Sequence, residues 1–167
     1  MSLAGQSAIR FTIRPMSQES AEAIVAWRYP PPYDFYNAVP DDPDLADLLD
    51  AAFRKGRYYD TVDERGELVG FFQFTRDVEP PEIGLGLRPD LTGQGLGLAF
   101  VQAGMAFARE HFGATDLSLA VTTFNRRAIA VYERAGFRAL ETYLHHTNGA
   151  DWEFLRMTTT PPEANPS

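Results

Sequence analysis

The sequence predicts an α+β fold, α/β-like in character, with helices laid on a mixed sheet. Three observations predict it. Hydrophobic residues make up 44% of the 167 positions, enough for the core of one domain of common size. Short runs with an apolar period of two alternate with longer runs spaced at three and four. Pro30-Pro31-Pro32, Gly56, Pro89 and Gly136 punctuate the boundaries. The resulting order is β-α-α-β-β-β-α-β-α-β-β, which calls for a sheet covered by helices.

Ile9–Ile13 alternates apolar and polar residues, as a half-buried strand does. Ser17 is placed to cap a helix that carries Ala21, Ile24, Val25 and Trp27, and the three prolines end it. A second helix is expected from Asp44 to Arg54, with Leu45, Leu48, Leu49, Ala52 and Phe53 as its apolar stripe. Tyr58–Val62 and Leu68–Phe74, joined by Asp63-Glu64-Arg65-Gly66, read as a hairpin. Glu82–Arg88 is the next strand, closed by Pro89. A long helix is expected from Gln94 to Arg109, with Leu96, Phe100, Ala103 and Phe107 on one face. Leu117–Val121 is a short strand. Arg126–Ala135 is a helix with Ala128, Val131, Tyr132 and Ala135 on its apolar stripe, and Gly136 follows its C-cap. Phe137–Leu144 and Trp152–Met157 are the last strands. We expect one domain over residues 1–158 and a polar, Pro-rich tail over 159–167.

Composition narrows the function. Fifteen Lys+Arg against 23 Asp+Glu give a net charge of −8, which disfavours a nucleic-acid partner bound by bulk field. The absence of Cys removes disulfides, Cys-based zinc sites and Cys nucleophiles, and fits a cytoplasmic setting. No run of 18 apolar residues suggests a membrane span, and residues 1–14 do not read as a secretory signal. His111, His145 and His146 have no metal-ligand spacing with carboxylates and read as surface residues, so no metal is expected.

The segment richest in chemistry is Leu85-Gly86-Leu87-Arg88-Pro89-Asp90-Leu91-Thr92-Gly93-Gln94-Gly95-Leu96-Gly97. A strand runs into three alternate glycines and then into a long helix. Glycine lets the backbone approach a ligand closely, and the first turn of a helix offers unpaired N–H groups and a positive dipole end. Together they suit an anion such as a pyrophosphate. The spacing is GxGxG, neither the dinucleotide GxGxxG nor a P-loop, and a Gly-rich packing turn explains the local pattern equally well.

A second constellation follows at Asn125-Arg126-Arg127-Ala128-Ile129-Ala130-Val131-Tyr132-Glu133-Arg134-Ala135-Gly136-Phe137. In that order, with a strand between them, the two segments resemble the motifs of the GNAT acetyltransferase superfamily. The second matches the pattern NxxAxxxYExxGF at Asn125, Ala128, Tyr132, Glu133, Gly136 and Phe137. The resemblance implies a mixed, mostly antiparallel twisted sheet with helices on both faces. It implies acetyl-CoA as co-substrate, with the pyrophosphate cradled by Thr92, Gly93, Gln94, Gly95, Leu96, Gly97 and Leu98. Leu85 and Leu87 would run beside the cofactor arm, Asn125 would hydrogen-bond it, and Arg127 would flank the phosphates together with Arg126 and Arg88. Two positions depart from the pattern: Thr92 stands where Arg or Gln is usual, and Ala120 stands where some members carry a catalytic Glu.

Acyl transfer from a thioester to a primary amine needs a neutral amine, an oxyanion donor and a proton for the leaving thiolate. The resemblance makes Tyr132 the general acid and a main-chain N–H near Leu87, exposed by a bulge, the oxyanion donor. Glu82 is the candidate base, because strand alternation sets it on one face with Gly84 and Gly86, a bare shelf for substrate. A solvated strand-start Glu82 and a core Tyr132 are the plainer readings of the same residues. Trp27, Tyr33, Asp34 and Tyr36 lie between the first two helices, with Tyr29 and Phe35 beside them. These five aromatics and one carboxylate are expected to wall the acceptor, a small-molecule or peptide amine. An aromatic mini-core under a loop is the plainer reading. The alternative function is a catalytically silent acyl-CoA-binding or sensor domain. Monomer and homodimer are both compatible with the sequence.

Overall fold

We describe a computed structural model of the chain over residues 10–38, 42–147 and 149–163. Strand β1 is Thr12–Pro15, short of the expected Ile9–Ile13; Ile9 lies outside the described residues. Helix α1, Gln18–Val25, is capped as expected, with the Ser17 hydroxyl accepting the Ser20 N–H at 3.0 Å. The expected second helix is broken in two, α2 at Pro43–Leu49 and α3 at Ala51–Arg54. The break is Asp50, whose backbone is extended and whose carboxylate accepts the Ala52 N–H at 2.9 Å. A side chain that caps so well starts a new helix even in the middle of an apolar stripe.

Strands β2 (Tyr58–Val62) and β3 (Leu68–Thr75) form the expected hairpin, and β4 (Glu82–Leu87) pairs with β3. Helix α4 spans Gly97–Phe112, displaced toward the C-terminus from the expected Gln94–Arg109. Gly93 and Gly95 adopt positive φ, 73° and 79°, so residues before Leu96 form a turn and cannot be helical. At the other end Gly113, with φ 66°, accepts the left-handed cap position. Strand β5 (Ser118–Thr122), helix α5 (Arg126–Arg134), and strands β6 (Arg138–Thr147) and β7 (Ala150–Thr158) complete the chain.

The seven strands run in the order β1-β2-β3-β4-β5-β7-β6. Every neighbouring pair is antiparallel except β4 and β5. Those two are parallel and in register only at Glu82 and Ser118, the start of both strands. Helices cover both faces, as the sequence leads one to expect. On one face α4 packs Phe100, Phe107 and Ala108 against Phe72, Phe74, Ile83, Leu119 and Met157, and α5 adds Ala128, Ile129 and Tyr132. On the other face α1 sets Ala21 and Ile24 against Met16 and Tyr58, with Trp27, Leu48, Phe53 and Phe71 around them.

Close approach on the α4 face depends on missing side chains. A Cβ on Gly104 would stand 2.3 Å from the Phe72 ring, and that ring stacks on Phe100 at 4.4 Å. Gly104→Ala therefore costs about 1–3 kcal/mol of stability by overpacking, despite alanine's better helix propensity. Urea denaturation checks this; a midpoint equal to or above wild type would show that Phe72 can yield.

Candidate active site

Parallel strands that share one register position diverge beyond it. From Glu82 and Ser118 the gap between β4 and β5 widens toward Leu87 and Thr122, a V in the middle of the sheet. Helices α4 and α5 both begin at its open end. In β4 the Arg88 N–H bonds Val69 O at 2.8 Å, so the even-numbered amides face β3. By alternation Leu85 and Leu87 turn their N–H and C=O groups into the V. The β3–β4 register is continuous from Gly70–Leu87 to Thr75–Glu82. The expected bulge is absent there, and alternation at a splayed edge exposes these amides without one.

The glycine turn forms one lip of the V. Its side chains tie the turn to itself: the Thr92 hydroxyl donates to Pro89 O at 2.8 Å, and the Gln94 amide donates to Asp90 O at 2.6 Å. Leu96, the N-cap of α4, supplies no side-chain cap. Phe100 N–H closes the first helical bond, to Leu96 O, so the amides of Gly97 and Leu98 point out of the helix end. Space above Gly95 is open to 4 Å, and above Gly93 the nearest group is the Arg127 guanidinium. That guanidinium also lies 4.5 Å over the Tyr33 ring, an arrangement that keeps a cation beside the helix terminus. Arg126 is exposed at the first turn of α5. Arg88 is differently employed: it pairs with Asp90 at 2.6 Å and donates to Leu68 O at 2.9 Å. This hydrogen bond holds the Asp90 carboxyl below its ordinary range.

The other lip is the start of α5. Asn125 caps the helix, its Oδ1 accepting the Ala128 N–H at 3.2 Å, and its Nδ2 donates to the Tyr36 hydroxyl at 3.1 Å. Tyr36 then shares a hydrogen bond with the buried Thr122 hydroxyl, 2.7 Å away at the tip of β5. Tyr132 stands two helical turns further on, edge-on to Phe137 at 6.1 Å. Burial, with a smaller contribution from Tyr36, pushes its phenol above the ordinary value of 10.0. Tyr132 is thus a neutral O–H donor across the whole neutral range.

The connection from Trp27 to Asn37 crosses the V. Tyr29 donates its hydroxyl to Leu87 O at 2.7 Å on one arm, while Tyr36 reaches Thr122 on the other. Of the four residues expected to wall the acceptor, Trp27 stands apart from the other three. Trp27 packs on Phe71 at 6.3 Å within the α1-side cluster. Tyr33 sits under Arg127, Tyr36 meets Asn125, and Asp34 is exposed in a short 3-10 helix, Tyr33–Tyr36. The aromatic surface gathers around Phe35, with Trp152 at 4.8 Å, Tyr36 at 5.2 Å, Phe124 at 5.9 Å and Phe154 at 6.2 Å. Sequence reasoning included Tyr29 and Phe35 in the aromatic run but missed Phe124, Trp152 and Phe154. The spacing of two between Trp152 and Phe154 was the available signal that both face the same side.

Glu82 lies at the closed end of the V, 3.6 Å from Arg156, which is also 3.6 Å from Glu141. The shelf beside it is not bare. A Cβ on Gly86 would meet the Phe71 ring at 2.5 Å, because Phe71 is the cross-strand partner of Gly86 and folds over it. The three histidines are exposed as expected, and no cluster of three or more metal-ligating side chains occurs among the described residues. No described helix is long and apolar enough to cross a membrane.

Ionisation of buried phenols limits stability at high pH. Burial raises Tyr29 and Tyr58 from 10.0 to about 12. Their raised values have no effect below pH 10, where both states are protonated. Between about pH 10 and 12 the unfolded chain ionises first, so stability falls by up to about 2–3 kcal/mol per ring. Urea midpoints at pH 8, 10 and 11 check this, and Tyr29→Phe with Tyr58→Phe should flatten the decline.

Known proteins resemble this chain in sequence and in fold. The chain is 37% identical over 95 residues to a mycothiol acetyltransferase of Salinispora tropica, covering 53% of this chain and 31% of the relative. It is 41% identical over 83 residues to the mycothiol acetyltransferase of Streptomyces coelicolor, covering 47% and 26%. The chain thus spans about a third or less of the length of these curated relatives. The fold matches spermidine N-acetyltransferase from Vibrio cholerae in complex with CoA and spermine. There the TM-score is 0.72 at 16% identity, over 89% of this chain and 94% of that one. Residues 10–138 match the acetyltransferase (GNAT) domain, and on that match the chain belongs to the GNAT acetyltransferase family.

Proposed function

We propose that the chain is a cytoplasmic, acetyl-CoA-dependent N-acetyltransferase that moves an acetyl group to the primary amine of a small molecule or peptide by direct attack. The observation that supports this best is the V between β4 and β5, which opens beside the uncapped start of α4. The residues present suit the co-substrate: outward amides and positive-φ glycines for a diphosphate, a cation at Arg127, and open strand edges for an extended arm. Bound there, acetyl-CoA supplies an activated acetyl thioester.

Each role then falls to a group already placed. The amides of Gly93 to Leu98 and the Arg127 guanidinium hold the phosphates. Leu85 and Leu87 pair with the arm as a strand would, and a free N–H from one of them stabilises charge on the reacting oxygen. Such preorganised donors are commonly worth about 3–4 kcal/mol. Asn125 steadies the arm from α5. The Tyr132 O–H protonates the departing sulfur. An ammonium near pKa 10.4 needs roughly 4–5 kcal/mol to lose its proton at neutral pH, and Glu82 takes up that proton through solvent from the open face of the sheet. The acceptor rests against the Phe35 aromatic surface, with Asp34 exposed nearby for a cation. Residues 1–158 act as one domain, followed by a tail.

Incubation with acetyl-CoA and a panel of polyamines, amino acids, amino sugars and peptides tests this reading by release of free thiol. Amine-dependent release is the expected result. Binding of acetyl-CoA with no release on any amine would instead favour the silent sensor domain.

A further inference from the structure

Strand β6 ends the sheet, pairing with β7 alone among the described strands. It is ten residues long, and Ala139 to Thr142 are exposed in succession, so no helix covers either face there. An open edge of that length is a template for another strand unless something blunts it. Arg138–Thr147 contains neither Lys nor Pro, and its one irregularity falls between Ala139 and Glu141, leaving Glu141–Thr147 regular. The most exposed large hydrophobic residues of the described chain are here as well, Leu144 at 71% and Leu140 at 48%. Charge points the same way. The chain carries −8, yet β6 holds one Arg and one Glu and is formally neutral, so association along this strand meets no local repulsion.

We infer that β6 pairs antiparallel with β6 of a second copy, joining two sheets into one across a two-fold axis. The occupant is a second copy because the strand complements itself. A register centred on Leu144 pairs Glu141–Thr147 of both copies, brings the two Leu144 side chains together on the axis, and sets Tyr143 of each beside His145 of the other. Side-chain contact and the backbone ladder then repeat in both halves, as an isologous contact requires. This inference does not rest on the proposed activity.

Sedimentation of the full chain from roughly 1 to 200 µM tests it. The expected result is twice the 18.6 kDa chain mass at the upper concentrations. Leu144→Lys, which sets two ammonium groups face to face, should leave a monomer at every concentration, with a thermal midpoint equal to wild type at the low concentrations where wild type is itself monomeric. Val78→Lys removes another exposed apolar side chain, 45% accessible, in the β3–β4 connection and should stay dimeric. A wild-type monomer throughout the range, assembly beyond a dimer, or a dimer that Leu144→Lys leaves intact would each overturn the inference.

Discussion

Tyr132→Phe is expected to lower kcat about 10²–10⁴-fold while leaving the affinity for CoA within about twofold of wild type. The ring stays, so packing on Phe137 and the apolar stripe of α5 are retained. Only the O–H is lost, and burial favours its protonated form. Stopped-flow or steady-state thiol release, with calorimetry on the same sample, separates the two effects. Unchanged turnover would reduce Tyr132 to a core residue. A joint fall in turnover and CoA affinity would mean that the hydroxyl builds the site rather than reacting in it.

Gly95→Val should weaken CoA binding at least a hundredfold. Nothing lies within 4 Å of the added Cβ, so packing does not oppose it. The obstacle is conformational. Gly95 has φ 79°, a region that a β-branched residue occupies only at a cost of about 1–3 kcal/mol, and relief of that strain turns the neighbouring amides away from the ligand. The turn is exposed and the core lies elsewhere, so thermal stability should fall by only a few degrees. Calorimetric titration with CoA reads the affinity. Retained binding would show that the backbone conformation of this turn is not what holds the diphosphate.

Local signals carried most of the fold. Periodicity located the hairpin Tyr58–Phe74, and cap chemistry located α1 and α5. Boundaries failed where a single residue outweighed the pattern, at Asp50 by side-chain capping and at Gly93 and Gly95 by backbone handedness. The glycine turn was legible because strand, turn and helix are contiguous, so their order already sets Gly93–Leu98 at the start of α4. The aromatic surface around Phe35 was not. Phe35 meets Trp152 across more than a hundred residues, and Tyr29 meets Leu87 across 58. No local spacing encodes such contacts. The Gly86 half of the expected shelf failed for the same reason, since Phe71 arrives over it from the neighbouring strand; at Gly84 the nearest group is the Gln73 side chain at 3.5 Å.

A crystal structure of the chain grown with CoA measures the central point directly. Diphosphate density within hydrogen-bonding distance of the main-chain N–H groups between Gly93 and Leu98, with the sulfur end lying between Leu85 and Tyr132, is the predicted result. Density for the diphosphate anywhere else on the molecule, with the gap between β4 and β5 left unfilled, would contradict it.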